Sequence, residues 1–122
     1  LQVAAIGTGP VAVIDRLTFA SETSHQAAVE RTRRIVDFAA EAGAQVNVGK
    51  LRGDLGATDP TAAASRRDEG FLKVCAHAAS AGVEITLEPQ NRSVVDNLND
   101  TAASLAWVRR LGVPPLPFLL AL

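Results

Sequence analysis

The chain has 122 residues, of which 48% are hydrophobic and 20% charged, a composition that suits one folded domain with a substantial core and excludes intrinsic disorder. Its 12 Lys and Arg are dispersed among 13 Asp and Glu for a net charge of −1, leaving neither a basic stripe for nucleic acid nor a polybasic membrane surface. The lone Cys75 excludes an intrachain disulfide framework and fits a reducing compartment, so a cytoplasmic location is expected.

Leu1-Gln2-Val3 lacks the basic start of a signal peptide, and no apolar run approaches the roughly 20 residues of a membrane span. Val3-Ala4-Ala5-Ile6 reads as a short buried strand stopped by the turn Gly7-Thr8-Gly9-Pro10. Val11 to Thr23 follows as a loop with an apolar patch at Val11 to Ile14, and Ser21, Thr23 and Ser24 offer caps for the next helix. That helix runs from about Ala27 to Ala42, with Ala28, Ile35, Phe38, Ala39 and Ala42 at helical spacing and Gly43 closing it.

Ala44 to Val48 is too short for a helix and alternates around Gln45 and Asn47, which predicts a second strand. Lys50 to Gly56 is a glycine-rich loop, after which Asp59-Pro60 reads as an N-cap and first helical residue of a helix reaching Ala81. Phe71, Val74, Cys75, Ala78 and Ala79 form its expected core stripe, and Gly82 ends it. Val83 to Leu87 is a third strand. Asn97, Asn99 and Asp100 offer caps for a helix over Thr101 to Leu111, with Leu105, Val108 and Leu111 inward.

Beyond Gly112, Pro114-Pro115-Leu116-Pro117 leads to a fourth apolar run, Phe118 to Leu122. Because the chain starts inside one strand pattern and stops inside another, residues 1–122 are expected to be a single domain truncated at both ends. About four strands alternate with three helices, each helix closed by glycine before the next strand, and this predicts an α/β fold of parallel βα units.

The third strand ends at Leu87-Glu88-Pro89-Gln90-Asn91-Arg92. A carboxylate leaving the core at a strand end is held rigidly while still reaching solvent, and Pro89 ends the ladder because it has no N–H. These residues, with Asn99, the helix after it and Leu111-Gly112, resemble the xylose isomerase-like TIM-barrel superfamily, in particular its sugar phosphate isomerase/epimerase group. Ala42-Gly43-Ala44 before the second strand and Gly49-Lys50-Leu51-Arg52-Gly53 after it are similar to that group's glycine and Arg-Gly loop. The resemblance runs from Val3 to Leu120.

The resemblance implies a partial (β/α)8 barrel, a sugar or sugar phosphate as substrate, and Glu88 as both catalytic carboxylate and ligand of a divalent Mn, Mg or Co ion. Asn91 and Arg92 would then contact substrate, Arg92 through an anionic group. The match is incomplete: the family's second metal-binding Asp aligns with Ala121, and a substrate-contacting Glu aligns with Val94. One carboxylate of the usual ligand set cannot hold the metal of an isomerase, so this chain alone is expected to be inactive.

Blander readings of the same residues are a solvated Glu88, an Arg92 paired with a nearby carboxylate, and an Asn91 bonded within its own turn. His25 and His77 have no second ligand at metal spacing and read as structural, and Cys75 reads as a small core residue. Gly49 to Gly53 lacks the Lys-Ser/Thr ending of a P-loop, although Arg52 there could reach a phosphate. Two other functions compete with the isomerase. One is a non-catalytic half-barrel or assembly module that forms a homo-oligomer through open barrel edges. The other is an endonuclease of the same superfamily, which the weak basic content disfavours.

Overall fold

The computed structural model describes residues 5–56 and 58–113. In order they build β1 (Ala5–Gly7), α1 (Gly9–Val13), α2 (His25–Ala42), β2 (Gln45–Val48), α3 (Pro60–Ala81), β3 (Ile85–Leu87) and α4 (Thr101–Leu111), with a 3-10 turn at Lys50–Arg52. The chain is therefore α/β. Its three described strands form one parallel sheet in the order β1-β2-β3. The expected fourth strand, together with Val3 and Ala4 of the first, lies outside the described residues.

Strand register divides the sheet into two chemically different faces. Ile6, Val46 and Ile85 are aligned across the three strands, and Val48 is aligned with Leu87. Val46, Val48, Ile85 and Leu87 join Val36 and Ala39 of α2 and Phe71 and Val74 of α3 in one buried apolar core, with Ile6 partly buried against it. The alternate row, Gly7, Asn47 and Thr86, projects to the opposite face, where the Asn47 amide donates to Thr86 Oγ1 at 3.1 Å.

The helix signals in the sequence act through identifiable bonds. Asp59 caps α3 by accepting the Ala62 N–H at 3.1 Å, and Asp100 caps α4 by accepting the Ala103 N–H at 2.7 Å. Each such cap is worth about 1 kcal/mol. Gly43, Gly82 and Gly112 follow their helices with φ of 67°, 70° and 73°, the left-handed region that favours glycine. At Gly70 the requirement is space, because an added Cβ would stand 2.8 Å from the Phe19 ring.

Four expectations change. The segment expected to be loop from Val11 contains most of α1, which buries Val11 and Ala12 but exposes Val13; Ile14, just past its end, is also exposed. Five residues are too few for a periodic signal to emerge. Phe38 is 60% exposed, and Thr32 and Val36 take the core positions on α2, because the buried stripe is centred on the opposite flank from Phe38. In α3 Cys75 is half-buried and Ala79 exposed, and in α4 Trp107 and Ser104 are buried while Leu105 and Leu111 are only partly so. Finally, Ser24 does not cap α2: its hydroxyl exchanges hydrogen bonds with the backbone of Thr18 instead.

No described helix is long and apolar enough to cross a membrane.

Candidate functional site

The loops that follow the three strands meet at one end of the sheet, and a buried arginine holds them together. Arg52 has no exposed surface. Its Nε and terminal nitrogens donate to the carbonyls of Gly49 (2.7 Å), Glu88 (3.1 Å), Asn97 (3.3 and 3.0 Å) and Leu98 (3.0 Å). A guanidinium has five N–H donors, and the five contacts engage all of them. Burial, reinforced by the like charge of Arg67, pushes its pKa down to about 10 against the pull of Glu88 and Asp54. It stays charged at neutral pH.

Asn97 connects this centre to a second buried arginine. Its carbonyl accepts from Arg52, its side-chain oxygen accepts from Arg67 at 3.2 Å, and its amide donates to the Gly53 carbonyl at 2.8 Å. The Arg67 guanidinium lies 5.0 Å from the centre of the Trp107 ring, and Asp68 accepts from both Arg67 and the Trp107 N–H. Sequence reasoning offered Asn97 as a helix cap. In the fold it is the junction between the loops after β2 and β3.

Asp96 adds a second tie by accepting the N–H groups of Leu55 and Gly56, both at 2.7 Å, while its own N–H donates to Asp54. Its slight burial would raise the carboxyl pKa, but the bonds from Leu55, the Asn97 amide and Gly56 outweigh this and hold it below the ordinary aspartate value.

Glu88 stands at the C-terminal end of β3 and is half-buried. Its N–H donates to the Val48 carbonyl at 2.9 Å and its carbonyl accepts from Arg52, so its backbone is fixed from both sides. Asn91 and Arg92 are exposed. The Asn91 side chain accepts from the backbone and hydroxyl of Ser93 at 2.9 and 3.1 Å, an Asx turn. Among the described residues Arg92 forms no ion pair. The structure thus places these three residues in one segment, and among the described residues no group of three His, Cys, Asp or Glu could hold a metal ion.

A cavity of about 620 Å³ lies at the same end of the sheet. Its walls are Thr18 and Ala20 to Glu22 on the way from β1 to α2, Lys50, Gly53 and Asp54 after β2, Val95 after β3, Thr58 and the cap Asp59 before α3, and Ala62 and Arg66 on its first turns. Glu88, Asn91 and Arg92 do not line it. Sequence reasoning did not single out Lys50, Asp54 or Arg66 as site residues. Lys50 and Asp54 had a usable signal in following a strand on the same end as Glu88, whereas Arg66 joins them only once α3 is placed.

The remaining candidates have structural roles. His25 Nδ1 lies 2.7 Å from the Phe19 carbonyl, which can only accept, so that nitrogen carries the proton. His77 pairs with Asp37 across α3 and α2 at 2.7 Å. Burial pushes the Cys75 thiol up to about 12, which leaves it protonated and unreactive at neutral pH.

No family model and no curated protein matches this sequence.

Proposed function

We propose that these residues form part of a (β/α)8 barrel of the xylose isomerase-like kind. In it Glu88 is one ligand of a divalent Mn, Mg or Co ion at a sugar or sugar phosphate isomerase or epimerase site. The observation that carries this reading is the position of Glu88 at the C-terminal end of β3, in a sheet whose successive strands are parallel neighbours. Barrels of βα units keep their active sites at that end. Asn91 and Arg92, in the turn after Glu88, are the proposed substrate contacts.

The described residues hold no group of three potential metal ligands, so the chemistry assigned to them stops at binding and orientation. A divalent ion would polarise a sugar carbonyl. The part played by this chain is to hold the Glu88 backbone still between the Val48 carbonyl and the Arg52 guanidinium, which fixes where its carboxylate is delivered.

The test is Mn²⁺ content after dialysis followed by a ketose–aldose interconversion assay, on this chain and on its full reading frame, each with and without Glu88→Gln. The expected result is metal-dependent turnover in the full frame that Glu88→Gln abolishes. Turnover indifferent to Glu88→Gln would sink the assignment.

A non-catalytic half-barrel that pairs with a second copy has its own support. β1 and β3 each have one strand neighbour among the described residues, and Ala5 and Gly7 on the polar face of the sheet are exposed. A monodisperse dimer in light scattering, with no metal and no turnover in any form, would favour it.

A further inference from the structure

The 620 Å³ cavity contains two cations in an unusual situation. Neither Lys50 nor Arg66 has a carboxylate within ion-pairing distance among the described residues, although Glu22, Asp54 and Asp59 share the walls. Two of those acids serve other partners: Asp59 caps α3 and Asp54 accepts the Asp96 N–H. Arg66 donates through Nε to the Ala20 carbonyl at 2.8 Å, which anchors the guanidinium to the wall. Its terminal N–H groups have no partner among the described residues, the reverse of Arg52, whose donors are all engaged.

We propose that this cavity is the seat of a phosphomonoester, with the phosphate held by Lys50 and Arg66. A phosphate group offers several acceptors to a planar fork and a point charge at once, and a concave wall partly excludes the water that would screen them. The carboxylates of Asp54 and Glu22, together with the Thr18 and Thr58 hydroxyls, suit the hydroxyl groups of the ligand's organic part. The lining therefore favours a phosphorylated polyol over bare phosphate. The walls are already assembled, because Asp96 and Asn97 tie the loop after β2 to the loop after β3. This inference rests on the preceding reading for the sugar class of the ligand and extends it to a position that Glu88, Asn91 and Arg92 do not occupy.

The experiment is calorimetric titration of the chain, without metal, against fructose 6-phosphate, inorganic phosphate and fructose. Fructose 6-phosphate is expected to bind more tightly than inorganic phosphate, and fructose not measurably. Lys50→Gln and Arg66→Gln should each weaken binding by about tenfold, with Arg66→Lys intermediate. If Arg66→Gln also loosens the loop at Ala20, Lys50→Gln still reads the seat, since the Lys50 amine has no ion pair among the described residues. No binding of fructose 6-phosphate, equal affinity for inorganic phosphate, or affinity unchanged by Lys50→Gln would each overturn the assignment. Because no metal is present, these titrations succeed or fail independently of Mn²⁺ binding at Glu88, so failure of the isomerase reading is told apart.

Discussion

Arg52 and Arg92 each stand four or five residues beyond a strand, in loops at the same end of the sheet, yet they have opposite fates. Arg52 is enclosed and spends its donors on backbone carbonyls, whereas Arg92 is exposed on an Asx turn. The difference lies in what surrounds each. The chain between β2 and α3 meets the segment 88–98 and brings together carbonyls that are partly or wholly shielded from water, and a fixed cation satisfies them. An arginine near a strand end is therefore not by itself a ligand-binding residue. Within the cavity walls, the cations without an ion pair among the described residues are Lys50 and Arg66.

The comparison can be broken most sharply at Arg52. Arg52→Ala leaves the carbonyls of Glu88, Asn97 and Leu98 without a donor, while that of Gly49 keeps the backbone N–H of position 52, and should cost about 3 kcal/mol, read as a fall in the urea midpoint. Arg52→Lys should recover only a part, since one ammonium cannot span the same acceptors. A loss below about 1 kcal/mol would show that the loops hold without it.

Asp96→Asn tests the neighbouring tie and should cost about 1–2 kcal/mol, because an amide cannot accept from Leu55 and Gly56 as a carboxylate does. Its pH dependence has a definite sign. The folded carboxyl titrates below its ordinary value of 3.8, so its stabilisation is present above that pH and lost as pH falls through the folded value. The gap between wild type and Asp96→Asn, measured by urea titration at neutral pH and near pH 3, should therefore narrow in acid. Arg92→Ala, at the exposed end of the comparison, should move stability by less than about 0.5 kcal/mol.

The helices were legible because their ends carry local chemistry. Asp59-Pro60 and Asp100 start α3 and α4, and Gly43, Gly82 and Gly112 end α2 to α4, all within a few residues of the turn they govern. The order of parallel strands followed from that alternation. The wiring of the strand-end loops was not legible, because its bonds join residues about 45 apart, as between Arg52 and Asn97 or Leu98. Nothing near Asn97 distinguishes a loop junction from a helix cap, and nothing near Arg66 announces that it will face Lys50 across a cavity.

The enclosure of Arg52 also bears on the order in which the chain can become stable. Of the four carbonyls that receive its donors, only that of Gly49 precedes it in the chain, while those of Glu88, Asn97 and Leu98 come after the whole of α3. As the chain emerges from the ribosome, β1, α2 and β2 are therefore made before three of the four carbonyls that Arg52 serves exist. The early units wait on the third, and the assembly is expected to lock as one cooperative step once the segment around Asn97 arrives.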